Sequence, residues 1–164
     1  MDGEKPEIQR DLAQAYLQTG RLDAAYKLSK ALVLGQPLPA EQDLLTFGSV
    51  ALGLGKPEEA RDAIVKLLET TPNHPQALTL AGIASRQSGD LEKAEEYLIK
   101  ATEISGTEAK AWIVRGEMEI EKGNTEEGLD LLRKALSANP GNPEITAALA
   151  ISLKNNNQVA EAYP

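Results

Sequence analysis

The chain has 164 residues, a formal net charge of −8 and no cysteine. The acidity offers no basic stripe for a phosphate backbone and so argues against a nucleic-acid partner, while the missing cysteines exclude disulfides, thiolate metal sites and a cysteine nucleophile. No apolar run approaches the roughly 18 residues that a membrane span needs. Aromatic residues make up only 4%, so alanine and leucine must build the core, which suits helices that pack closely through small side chains.

Residues 1–5, MDGEK, are polar and read as a flexible N-terminus. Pro6 fits the first turn of a helix, where its missing N–H costs nothing. Ile8, Leu12, Ala13, Ala15 and Tyr16 then recur at helical spacing until Gly20 stops the run. Leu22, Ala25, Leu28, Ser29 and Leu32 form the apolar stripe of a second helix, and the link 35–39 closes the unit one residue longer than the others. The second unit begins near Glu41 with Leu44, Phe47, Gly48 and Ala51 facing inward. Its second helix opens at Lys56-Pro57-Glu58-Glu59, with proline in the first turn and acids at the positive end of the dipole, and buries Ala60, Ile64 and Leu67. The third unit begins at Pro75 and uses Leu78, Ala81, Gly82 and Ser85; Asp90 is suited to cap its second helix, whose stripe is Leu91, Ala94, Leu98 and Ala101. The fourth carries Trp112, Gly116, Gly123, Gly128, Ala135 and Pro140. A fifth begins at Pro143 with Leu149, Ala150 and Leu153, and the sequence ends at Pro164 as its second helix would start.

All of these units share one frame of 34 residues. Position 8 is Ala13, Gly48, Gly82, Gly116 and Ala150; position 20 is Ala25, Ala60, Ala94, Gly128 and Ala162. Position 15 is Gly20, Gly55, Gly89, Gly123 and Asn157. Each unit is therefore a helix, a glycine turn, a second helix and a short link, which predicts an all-α solenoid whose units bury their apolar faces only against neighbours. Small residues at positions 8 and 20 predict a close approach of the paired helices. Glycine at position 15 predicts a left-handed turn residue.

This pattern resembles the tetratricopeptide repeat (TPR) over nearly the whole chain, with units at 6–40, 41–74, 75–108 and 109–142 and a partial repeat or capping helix at 143–164. The ending after Ala162 is read as a cut inside a longer array. Position 4 departs from the family, being tryptophan only at Trp112 and otherwise Gln9, Leu44, Leu78 and Thr146. So does position 11, usually tyrosine, which is Tyr16, Ala51, Ser85, Glu119 and Leu153. These bear on how tightly each pair packs rather than on the fold. The resemblance implies a right-handed superhelix whose concave wall is lined by first helices, acting without a cofactor as a non-enzymatic scaffold for protein–protein interaction.

The family's groove positions yield the candidate binding residues Arg10, Gln14, Leu45, Ser49, Leu52, Ile83, Arg86, Gln87, Ile113, Glu117, Ile120, Glu121 and Ile151, and the same positions also hold Glu7, Leu17, Gln18, Gln42, Gly53, Gln76, Thr79, Lys110, Glu144, Ala147, Lys154 and Asn155. Leu45, Leu52, Ile83, Ile113, Ile120 and Ile151 fall where the helix pairing does not need them, so they suggest an apolar strip rimmed by polar groups. The expected ligand is an extended or helical segment of a partner protein, with Arg10 and Arg86 orienting its acidic groups and Glu117 and Glu121 its basic ones. The same aliphatic side chains could instead pack between neighbouring first helices. The carboxylate clamp of lysine and asparagine that some TPR domains use is not matched, since Arg10, Gln14, Thr46, Gln76 and Leu80 stand at its positions. The other functional reading is assembly, by self-association through terminal repeats or within a longer array. The sequence style resembles bacterial TPR proteins, including envelope and secretion components; the compartment does not follow from that, and a soluble protein of the bacterial cytoplasm or periplasm is the expectation.

His74, the single histidine, lies in a link beside Pro75 and reads as a surface turn residue rather than a general base. The chain has no glycine-rich phosphate loop, no HExxH and no GxSxG. Trp112 reads as core packing, and the pairs Glu58-Glu59, Glu95-Glu96 and Glu126-Glu127 as dipole complements on the convex face. Glu117 and Glu121 lie one turn apart, an acidic patch with no histidine or cysteine near by in sequence to make a metal site.

Overall fold

The structure is a computed structural model that describes residues 6–106 and 108–156, so the expectations for 1–5 and for Asn157 and Ala162 lie outside the described residues. Among the described residues there are nine helices and no strand: α1 (Pro6–Gln18), α2 (Leu22–Leu34), α3 (Glu41–Gly53), α4 (Pro57–Thr70), α5 (Pro75–Gln87), α6 (Leu91–Ile104), α7 (Ala109–Glu121), α8 (Thr125–Ala138) and α9 (Pro143–Asn155). The chain is the expected all-α solenoid.

The turns follow from glycine at position 15. Gly20, Gly55, Gly89 and Gly123 all have positive φ, between 68° and 93°. The residue after each glycine donates back across the turn to a carbonyl five residues earlier, as in Arg21 to Tyr16 at 2.8 Å and Asp90 to Ser85 at 2.9 Å. These bonds satisfy orphan carbonyls at the helix end and hold the second helix against the first. Three helix starts, those of α5, α6 and α9, also carry side-chain caps. Asp90 accepts from the N–H of Lys93 at 3.2 Å, and Asn142 accepts from Glu144 and Ile145 at 2.9 and 3.2 Å. His74 proves to be a cap rather than a plain turn residue: its Nδ1 accepts from the N–H of Ala77 at 3.2 Å while Nε2 meets Glu41 Oε1 at 3.1 Å.

Packing explains the curvature. Each first helix lies against its own second helix, and each second helix against the next first helix. The odd-numbered helices also touch one another in sequence, α1 to α3 and so on to α9, whereas no such series joins the even-numbered ones. The first helices therefore form the inner, concave wall.

Positions 8 and 20 are buried in all four complete pairs, and they approach each other directly in the third and fourth, where a Cβ on Gly82 would lie 3.2 Å from the Ala94 carbonyl oxygen. Ala25, Ala60 and Ala94 are fully buried, and their partners Ala13, Gly48 and Gly82 are buried too. In the fourth unit the two backbones touch. A Cβ on Gly116 would lie 2.9 Å from the carbonyl oxygen of Gly128, and one on Gly128 would lie 2.5 Å from that of Gly116. Around these contacts Ile64, Leu78, Leu98, Leu129 and Leu132 supply the bulk of the core.

Polar links join consecutive units at the same time. The Tyr26 hydroxyl donates to the Glu59 carboxylate at 2.6 Å, and Lys30 Nζ donates to both the tyrosine oxygen and Glu59 at 2.8 and 2.9 Å. Tyr26 first, then Lys30, holds the Glu59 carboxyl well down, to about 2. Glu59 thus does more than complement a dipole. Trp112 is half-buried rather than core: Nε1 donates to the Gly106 carbonyl at 3.0 Å and the Arg115 guanidinium lies 5.2 Å from its ring centroid, so the indole ties α7 to the link before it.

Gly116→Ala should force the α7–α8 backbones apart and cost about 1–3 kcal/mol, read as a fall of several degrees in thermal midpoint. Gly106→Ala, whose Cβ would meet nothing within 4 Å, should stay within about 0.5 kcal/mol of wild type. Equal midpoints for the two variants would contradict the close-contact account.

Candidate functional site

Two open recesses lie on the wall of first helices. The larger, about 520 Å³, sits between α3, α5 and α7. Its floor is aliphatic, made by Leu52, Leu80, Ile83 and Val114, and its rim is polar, with Ser49, Gln76, Thr79, Gln87, Glu108 and Lys110. The smaller, about 190 Å³, lies between α7 and α9 and is lined by Glu117, Ile120, Glu121, Ile151, Ser152, Asn155 and Asn156.

The candidate residues divide between these places. Ser49, Leu52, Ile83 and Gln87 come together at the larger recess, and Glu117, Ile120, Glu121 and Ile151 at the smaller. Arg10, Gln14, Leu45, Arg86 and Ile113 line neither. The six aliphatic candidates do not form one continuous exposed strip. Leu45 and Leu52 are only 4% and 8% exposed, packed with Val33 of α2 and with Leu80 and Ala84 of α5 in one buried cluster. Ile151, by contrast, is 59% exposed. The packing alternative therefore holds for Leu45 and for most of Leu52, which keeps only an edge on the recess.

Leu80, Val114 and Glu108 line the recess without having been singled out in the sequence. Leu80 and Val114 share position 6 of the frame, which is Asp11, Thr46 and Ala148 in the other units, so no recurring residue type there pointed to them. Glu108 sits in a link, where a periodicity of helix faces has nothing to say.

The electrostatics correct the expected roles of the charged candidates. Arg10 Nε and Nη2 donate to Asp43 Oδ1 and Oδ2 at 2.7 and 2.9 Å, a bidentate pair that joins α1 to α3. The Asp43 side chain is wholly buried. Arg86 Nη1 donates to Glu117 Oε2 at 2.9 Å and Nη2 to Glu121 Oε1, which joins α5 to α7. Burial works against the Arg86 charge, and the hydrogen bonds to Glu117 and Glu121 more than offset it. Arg10 and Arg86 are thus engaged inside the protein instead of waiting for acidic groups on a partner, and Glu117 and Glu121 share a cation already. The cause is the repeat itself. Charges about one period apart stand side by side on consecutive first helices.

Glu108 is different. It is half-buried at the start of α7, and burial pushes its carboxyl above the usual range, with Thr79 opposing through a hydrogen bond. Thr79 has one hydroxyl proton, and its Oγ1 also donates to the Pro75 carbonyl at 2.9 Å. Among the described residues Glu108 forms no salt bridge. None of the described helices is long and apolar enough to cross a membrane.

Three family models described as Tetratricopeptide repeat match residues 6–26, 45–109 and 119–163. The chain belongs to the tetratricopeptide repeat family. Solved structures share its fold. TTC0263, a thermophilic TPR protein of Thermus thermophilus, matches with a TM-score of 0.83 at 23% identity over 96% of this chain and 86% of that one. The MamA protein matches with a TM-score of 0.67 at 21% identity over 98% and 87%. Among curated proteins, human FK506-binding protein-like is 33% identical over 100 residues, 60% of this chain and 29% of that protein. The CTR9 homolog of Arabidopsis thaliana is 34% identical over 89 residues, 54% of this chain and 8% of that protein. The chain thus matches less than a third of the length of these curated relatives.

Arg10→Met should leave the Asp43 carboxylate buried without its cation and destabilise the chain by about 2 kcal/mol, whereas the double change Arg10→Met with Asp43→Leu should recover most of the loss. Denaturant midpoints of the two variants check this. A double variant as unstable as the single one would show that the loss does not come from a buried carboxylate left without its cation.

Proposed function

We propose that this TPR scaffold binds a peptide or helical segment of a partner protein in the recess between α3, α5 and α7. The observation that carries the proposal is the make-up of that recess, an aliphatic floor of Leu52, Leu80, Ile83 and Val114 within a rim of hydrogen-bonding side chains. Its volume of about 520 Å³ is in the usual range for a ligand site. An apolar side chain of the ligand would cover the floor. Ser49, Gln76 and Gln87 can donate to or accept from its backbone, each net contact worth about 1 kcal/mol. Because the rim stands on three packed helices, little ordering accompanies binding. The role is one of recognition and not of catalysis.

A second reading, assembly of copies through the last described helix, is favoured by Ile151 at 59% exposure beside the smaller recess. One set of measurements separates the two. Peptides selected against the full chain from a random display library should lose at least about tenfold in affinity for Ser49→Trp, which fills the recess, with helicity by circular dichroism unchanged. Equal binding to both chains would move the site elsewhere. A mass that rises with concentration in the free chain, and falls back in Ile151→Asp, would favour assembly.

A further inference from the structure

We propose that the ligand segment of the larger recess is basic and aliphatic, carrying a lysine or arginine cation that meets Glu108 beside a leucine, isoleucine or valine that covers the floor. The inference rests on the reading of the recess as the ligand site.

It follows from where the charges of the concave wall are spent. Arg10 is held by Asp43, and Arg86 by Glu117 and Glu121. That leaves Glu108 and Lys110 as the charged groups lining the recess. They are not equivalent. Lys110 is exposed on the rim, where its compact ammonium keeps its own water. Glu108 is half-buried and has no salt bridge among the described residues, and its hydrogen bond from Thr79 competes with the Pro75 carbonyl for a single proton. His74 and Lys110 both lie near enough to act on Glu108 electrostatically. Yet the His74 ring is engaged by the N–H of Ala77 and by Glu41, and Lys110 forms no salt bridge with Glu108 among the described residues.

A carboxylate that has lost part of its water and lacks a full set of donors gains more from a cation than an exposed one does, because the local dielectric is lower. A ligand carboxylate approaching Lys110 would meet Glu108 at the same edge and be repelled. The aliphatic floor then sets the residue beside the cation, and the net charge of −8 steers basic segments toward the surface.

The test is selection of a random peptide display library on the full chain, followed by affinity measurements on synthetic versions of the selected peptides. Recess-dependent peptides, defined by their loss with Ser49→Trp, should carry lysine or arginine within a residue or two of an aliphatic side chain. Replacing that cation by glutamine should cost about tenfold against wild type and almost nothing against Glu108→Gln. Lys110→Gln should not weaken binding. Glu108→Lys should shift the selected sequences toward acidic ones. Recess-dependent peptides that are acidic or uncharged, or that bind Glu108→Gln as well as wild type, would overturn the proposal while leaving the recess as the site. Peptides indifferent to Ser49→Trp, or no peptide at all, would count against the recess and the proposal together.

Discussion

Everything in this molecule depends on two helices being allowed to touch. At positions 8 and 20 the side chains are alanine or glycine, and between α7 and α8 the backbones of Gly116 and Gly128 meet with no room for a methyl group. With so few aromatic residues the chain cannot fill wide gaps between helices. Close packing through small residues lets leucines and isoleucines of neighbouring units close the core. The glycine turns serve that contact by bringing the second helix straight back onto the first, and repetition of the pair produces the curved wall.

That wall has its charge arranged internally. One period separates groups that become neighbours on consecutive first helices, so Arg10 finds Asp43 and Arg86 finds Glu117 and Glu121. Such pairs lend register to the stacking rather than much net stability. The proposed ligand recess is partly aliphatic, with Glu108 and Lys110 as its charged lining. A scaffold of this kind recognises by shape and by a small number of polar contacts, with rigidity supplied by the helices.

The fold was largely legible in the sequence because it is written in a period. Gly20, Gly55, Gly89 and Gly123 announced the turns, and Ala60 and Ala94 announced the buried contacts, each through its place in the frame. The candidate recess was legible only in part. Ser49, Ile83 and Gln87 were found because a helix face projects them into the recess. Leu45 belongs to the same nominal face yet is buried, since it joins one core cluster with residues of α2, α4 and α5, which no pattern within α3 can reveal. The pairing of Arg10 and Arg86 within the chain was hidden for the same physical reason: their carboxylates lie about one repeat away. His74 and Glu108 sit in links, where the period carries no information and only the fold shows what they touch.

The most direct test of the central claim is amide chemical-shift mapping of the isotope-labelled full chain titrated with a selected peptide. The account predicts that shifts concentrate at Ser49, Gln76, Ile83, Gln87, Glu108 and Lys110, with α4, α6 and α8 unmoved away from their packed faces. Shifts confined to those second helices, or to α9 around Ile151, would contradict a concave ligand site between α3, α5 and α7.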